Sequence, residues 1–77
     1  MNEQVLSRVR QIASDVLLTD VTAESSPETV ESWDSVQHLN LILAVEEEYG
    51  FQFSPEEMDG AKTVEKIAGV VSARRGV

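Results

Sequence analysis

The sequence predicts an all-α fold, a small bundle of three main helices and one short helix with a long first loop. Apolar residues recur at intervals of three and four, which is the period of an amphipathic helix. Helix start and stop signals separate the apolar segments, and no segment alternates in the manner of a strand. A chain of 77 residues has room for one domain, which we expect to span 1–77.

The first helix is predicted over residues 3–17, where the apolar side chains form one broad stripe. The stripe consists of Val5, Leu6, Val9, Ile12, Ala13, Val16 and Leu17. The helical period then disappears over 18–34, which we interpret as a loop. A loop of this length is usually functional or held by its own anchors. The candidate anchors are Leu18, Val21, Val30 and Trp33.

The second helix, predicted over 35–49, has a clear start and a clear end. Asp34 is a favourable N-cap, and Gln37 three residues later completes the pattern of a capping box. Gly50 follows Tyr49 at the position where helices commonly end in a left-handed residue.

Two further helices are predicted after Gly50. Ser54 and Pro55 mark the start of a short helix over 55–59, which Gly60 is expected to end. Thr63 is the expected cap of a last helix over 64–74. The apolar face of that helix consists of Val64, Ile67, Ala68 and Val71.

The second helix carries more apolar residues than one buried face requires. The residues at core spacing are Leu39, Leu41, Ile42, Val45 and Tyr49, and a different face holds Val36, Asn40, Leu43 and Glu47. An apolar centre beside the glutamates 46–48 is typical of a docking surface. The alternative is that the long loop folds over this second face and buries it.

The formal net charge of -8 is distributed unevenly. Residues 11–61 contain twelve acidic side chains and no Lys or Arg, so the basic residues lie near the two ends. This pattern excludes a nucleic-acid-binding protein, which needs a basic surface. It favours protein partners with basic docking patches, because a field of one sign steers complementary surfaces together. Solubility alone is the other explanation for such acidity.

The chain contains no cysteine, which excludes disulfides and thiolate metal sites. A single histidine leaves no transition-metal ligand set either. No long apolar run follows Arg8 and Arg10 as in a signal peptide, and no apolar stretch is long enough for membrane insertion. We therefore expect a cytoplasmic protein, and we expect it to be a monomer.

The region around the second helix resembles the acyl carrier protein family. The pieces are Asp34-Ser35-Val36, the apolar run 41–45, the glutamates 46–48 and Tyr49-Gly50 followed by Phe51. The likeness extends in order and spacing through the short helix and the last helix, so it covers essentially the whole chain. It implies a small carrier-type bundle of the discrete, stand-alone kind.

Three positions bear on the kind of carrier. Val36 stands where the family usually has leucine after the serine, and Asn40 occupies a place that is often acidic in fatty acid carriers. Trp33 before the Asp-Ser pair is more similar to carriers of secondary-metabolite or modified fatty acid pathways. These residues predict partner contacts that differ in detail from those of a typical fatty acid carrier.

The resemblance implies a non-catalytic carrier that holds acyl intermediates as thioesters. Ser35 is then the attachment point of 4′-phosphopantetheine, which a magnesium-dependent phosphopantetheinyl transferase moves from coenzyme A, and Asp34 is part of the recognition motif. The other implied partners are acyl-loading and condensing enzymes of fatty acid, polyketide or related synthesis. The expected partner-binding residues are Val36, Asn40, Leu43, Glu46 and Glu47.

A helix start also suits a phosphodiester physically, because the unpaired N–H groups and the positive dipole end favour an anion. His38 lies one turn beyond Ser35, but no second residue is evident to orient it as a base. We expect His38 to face solvent or a partner. Two other functions stay open: a peptidyl or aminoacyl carrier with the same arm, and an unmodified acidic adaptor.

Overall fold

The computed structural model describes residues 3–75. They form four α-helices joined by loops, and this range contains no strand. The helices are α1 (Glu3–Leu17), α2 (Ser35–Tyr49), α3 (Pro55–Gly60) and α4 (Val64–Arg75). The predicted all-α fold with a long first loop is confirmed. Helices α3 and α4 each run one residue beyond the predicted ends, so Gly60 belongs to the short helix rather than following it.

The core lies where α1 packs against α2 and α4. The predicted stripe of α1 is buried at Val5, Val9, Ile12, Ala13 and Leu17. Helix α4 buries the predicted face together with Ser72. Helix α2 contributes Leu41, Ile42 and Val45 to this core. The spacing of Leu39 predicts a core position, and this prediction is wrong because Leu39 is 46% exposed.

Loop 18–34 supplies its own buried anchors. Val21 and Trp33 are buried, and Val30 packs partly against the core, as predicted. The prediction for Leu18 is wrong, because its side chain is 87% exposed. Leu18 has a φ of 58° and occupies the left-handed position after α1. There, Thr19 N–H donates to the carbonyl of Ser14, as in a Schellman motif, and the side chain of Leu18 is directed outward.

Hydrogen bonds hold this loop against α1 and α4. Ser32 Oγ donates to the carbonyl of Leu17 at 2.9 Å. At the start of α4, the N–H of Glu65 donates to the carbonyl of Ala23 in the loop, also at 2.9 Å. The first N–H groups of α4 are thus satisfied by the loop, and the loop is held against the start of that helix.

The ends of α2 and α3 mostly follow the predicted caps. Gly50 has a φ of 70°, and Ser54 and Glu57 form a reciprocal capping box. At α2, Asp34 Oδ1 accepts from the N–H of Gln37 at 2.9 Å. The second half of the predicted box at α2 does not form, because the Gln37 side chain accepts from Asn40 Nδ2 instead.

Candidate functional site

Ser35 is the first residue of α2 and is exposed. The Asp34 carboxylate accepts from Gln37, and the Asp34 carbonyl accepts from the N–H of His38 at 2.8 Å. The Ser35 hydroxyl has no hydrogen-bond partner within the described residues 3–75. The site therefore presents a free hydroxyl at the positive end of a 15-residue helix.

The ring of His38 is not available to this hydroxyl. Trp33 Nε1 donates to His38 Nδ1 at 3.0 Å, and His38 Nε2 lies 2.9 Å from the carbonyl oxygen of Met58. An indole N–H needs an acceptor and a carbonyl needs a donor, so the two partners assign the neutral tautomer with its proton on Nε2. The expectation that His38 faces solvent or a partner is wrong. Its ring joins the loop, α2 and α3, and neither nitrogen is free to take the proton of Ser35.

A cleft of about 850 Å³ opens beside Ser35. Residues 26–28 in the middle of loop 18–34, the end of this loop with the first turns of α2, the end of α3, and the segment 62–66 at the start of α4 line it. Apolar side chains of Leu39 and Met58 line it next to the charged side chains of Lys62 and Lys66. No local pattern in the sequence predicts this cleft, because its walls come from four separate segments.

Helix α2 presents an exposed apolar face. Val36 is 68% exposed and Leu43 is 48% exposed, and Leu39 lies exposed as well. Loop 18–34 leaves these side chains uncovered, so the alternative that the loop buries this face is excluded. Asn40 is exposed too, and its amide donates to Gln37 on the same helix at 3.0 Å.

The three consecutive glutamates of α2 have different surroundings. Glu46 Oε2 accepts from the N–H of Phe53 at 2.6 Å, which ties α2 to the segment after it. Glu48 pairs with Arg8 at 2.9 Å, and the hydrogen bond from Arg8 lowers the pKa of the Glu48 carboxyl. Glu47 is exposed and has no such partner within residues 3–75. Of the three, Glu47 is the one whose charge is free to meet another protein.

Within residues 3–75, no three His, Asp or Glu side chains gather in a way that could hold a metal ion. None of the helices in this described part has the length and hydropathy of a bilayer-spanning segment. The site offers one accessible hydroxyl at a capped helix start, an adjacent cleft, and an apolar face with an unpaired carboxylate.

Comparison with known proteins identifies the family of this chain. Residues 7–71 match the family described as the phosphopantetheine attachment site. The chain belongs to the acyl carrier protein family. It is 33% identical to the acyl carrier protein of Thermosynechococcus vestitus, with 94% of each chain covered. It is 27% identical to that of Coprothermobacter proteolyticus over 92% of this chain and 90% of the relative.

As a member of this family, the chain is a non-catalytic carrier with covalently attached 4′-phosphopantetheine. Family membership also implies a phosphopantetheinyl transferase and acyl-handling enzymes as its partners. The residues of the site fit the group. An exposed serine with an unpartnered hydroxyl lies at a helix start that favours the charge of a phosphodiester, beside a cleft open to an attached chain.

Proposed function

We propose that this carrier holds acyl intermediates as thioesters on a phosphopantetheine arm at Ser35. The pathway is fatty acid, polyketide or related secondary-metabolite synthesis. The observation that supports Ser35 most directly is its exposed, unpartnered hydroxyl at the first position of α2. When bound, the arm supplies a terminal thiol, which forms the thioester with an acyl group.

In the loading step, Ser35 Oγ attacks the β-phosphate of coenzyme A. The bond from Oγ to phosphorus forms, the pyrophosphate bond breaks, and adenosine 3′,5′-bisphosphate leaves. The proton of the hydroxyl must go to a base of the transferase, because both nitrogens of His38 are already hydrogen-bonded. This carrier thus contributes the nucleophile and its position, and the partner contributes the activation.

The start of α2 suits the resulting phosphodiester. A negative charge at the N-terminus of a helix is stabilised by about 0.3–1 kcal/mol at an exposed site. Asp34 precedes Ser35 in the chain, and its Oδ1 is occupied in capping α2. We propose that this cap also holds Ser35 in a fixed orientation, so that enzymes meet the arm at a constant place.

We propose the exposed face of α2 as the docking surface for these enzymes. Its apolar contacts are Val36 and Leu43, which are solvent-exposed in the free carrier. Asn40 lies between them on the same face, and Glu47 adds a free charge. Glu46 adds charge from a half-buried position, where its carboxylate also accepts from Phe53. Basic patches on the partners complement this surface.

The proposed setting is a cytoplasmic monomer. The chain has no cysteine, which agrees with a reducing compartment. Its net charge of -8 opposes self-association through the acidic surface. Light scattering across a range of concentrations tests the monomer, and a mass that rises to twice the chain contradicts it.

Intact mass measurement tests the attachment. The purified chain is incubated with coenzyme A and a promiscuous phosphopantetheinyl transferase, and the expected result is the gain of one phosphopantetheine. Ser35→Ala removes the gain, whereas Ser7→Ala, which changes an exposed serine of α1, keeps it. A wild-type chain that stays unmodified with a transferase active on another carrier supports the unmodified adaptor instead.

A further inference from the structure

The cleft beside Ser35 contains the only two lysines of the sequence. Lys62 and Lys66 line it together with Ser35, Leu39 and Met58. Lys62 precedes the cap of α4, and Lys66 lies in the first turn of that helix. In a chain that has no other Lys or Arg between residues 11 and 73, both basic side chains therefore border one cleft.

Most arginines in residues 3–75 form ion pairs or hydrogen bonds with other groups of this range. Arg8 pairs with Glu48, and Arg74 pairs with Glu57. Arg75 donates to the carbonyl of Tyr49 and lies over its ring. The ammonium groups of the two lysines have no hydrogen bond or ion pair with any group in residues 3–75.

The place of the lysines opposes the usual charge preference of helices. The N-terminus of a helix carries a positive partial charge, which disfavours cations in the first turn. Lys66 N–H donates to Thr63 Oγ1 as part of the cap, so the lysine lies within this turn. Glu65 in the same turn follows the usual preference, whereas Lys62 and Lys66 stand against it and border the cleft.

Three acidic side chains border the same cleft. Glu28 and Asp59 line it, and neither forms an ion pair with Lys62 or Lys66 within the described residues. The third carboxylate, that of Asp34, caps α2. The charge of the lysines is therefore not used by the carrier's own fold.

We propose that Lys62 and Lys66 bind an anionic group carried on Ser35, so that the cleft holds a charged part of the loaded arm. The inference rests on the proposed attachment at Ser35. Two parts of a loaded arm have this chemistry: the phosphodiester next to Ser35 and a carboxylate at the far end of a dicarboxylic acyl group. Either one places a negative charge beside the two ammonium groups, which attracts them.

The test follows the lysine side chains by NMR in four states of the protein. These are the apo chain, the phosphopantetheine form, that form with a butyryl group and that form with a succinyl group of the same carbon number. Binding of the phosphodiester shifts the Cε and Hε signals of both lysines at the first step. Binding of a carboxylate shifts them between the butyryl and succinyl forms. In both cases the shift is lost at about 1 M salt, where the Debye length is about 3 Å.

A stability measurement adds a second readout. Lys62→Gln with Lys66→Gln removes the rise in melting temperature that the responsible step gives, whereas Arg10→Gln, an exposed change on α1, keeps it. Lysine signals that move at neither step, with equal melting curves for the variants, overturn the proposal. Failure of the attachment itself is distinguishable, because the mass of the chain then never changes.

Discussion

The indole nitrogen of Trp33 donates a hydrogen bond to Nδ1 of His38 across 3.0 Å. Trp33 is buried at the end of the loop, and the stacked rings of the pair lie 6.0 Å apart between centroids. Since Nε2 of the same imidazole reaches the carbonyl of Met58, one side chain links loop, α2 and α3. Ser35 lies between Trp33 and His38 in the chain, so this link holds the segment that carries the Ser35 hydroxyl in place.

Replacing His38 tests the strength of that link. His38→Leu leaves a buried indole N–H without an acceptor, and we expect the free energy of unfolding to fall by about 1–3 kcal/mol. Urea unfolding followed by the fluorescence of Trp33, the sole tryptophan, measures the change. His38→Asn keeps an acceptor near the position of Nδ1 and should lose less. A leucine variant as stable as the wild type speaks against the link.

Replacing Leu18 with glycine is expected to stabilise the fold. Leu18 has a φ of 58°, a left-handed conformation that is unfavourable for leucine and that glycine adopts freely. Its side chain lies in solvent, so packing contributes little energy to offset this strain. Leu18→Gly should raise the free energy of unfolding by about 0.5–1 kcal/mol. The neighbouring change Thr19→Gly, at a residue with no positive φ, should lower it instead. Equal effects from the two glycines contradict this explanation.

Acid stability depends on Glu57. The N–H of Ser54 donates to this carboxylate, and Arg74 adds a second hydrogen bond, so the pKa of Glu57 lies below its usual value of 4.5. A lowered pKa stabilises the fold above the unfolded-state pKa, and the contribution is lost as pH falls through the folded-state value.

Glu57→Gln keeps a capping-box side chain and removes the charge. Its melting temperature should lie below that of the wild type near neutral pH, and the gap should close between about pH 5 and pH 3. Glu56→Gln, on the exposed adjacent position of α3, removes the same charge without changing a capping-box side chain and serves as the control. A gap for Glu57→Gln that stays constant across this range contradicts the linkage.

The charge of Glu47 is expected to act on rates rather than on stability. Glu47→Lys should slow modification by the transferase several-fold at low salt and have little effect at high salt, because screening removes steering between exposed charges. Glu3→Lys makes the same change of charge at the start of α1, outside the proposed face. Initial rates measured at several salt concentrations decide the matter, and equal slowing by both variants favours net charge over docking.

The helices could be predicted because their signals are local. The caps at Asp34, Ser54 and Thr63 act within one turn, and the stripes of α1 and α4 repeat at a fixed period. Helix α2 was harder, since its apolar residues surround more than one face. Leu39 fits the spacing of the core and still lies outside it, because the other helices cover only the side that holds Leu41, Ile42 and Val45.

The sequence predicts Ser35 as the attachment residue, but it does not predict the surroundings of this serine. Ser35 follows from the motif around it, whereas the role of His38 depends on a tryptophan and a carbonyl that only the folded chain brings together. The distinct roles of Glu46 and Glu48 likewise depend on Phe53 and Arg8, which lie on other segments. Periodicity predicts which side chains are buried. Tertiary contacts decide which of the neighbouring glutamates are paired and which one is free, and these contacts cannot be predicted from local sequence.

The most direct test of the central claim is to locate the arm on the chain. Cleavage after Glu31 and Glu46 releases a peptide of residues 32–46, which contains two serines, Ser32 and Ser35. Fragmentation of this peptide from the modified protein should place the phosphopantetheine on Ser35, since the hydroxyl of Ser32 is engaged with the carbonyl of Leu17. Fragment ions that place the group on Ser32, or an unmodified peptide from a protein that has gained mass, contradict the account.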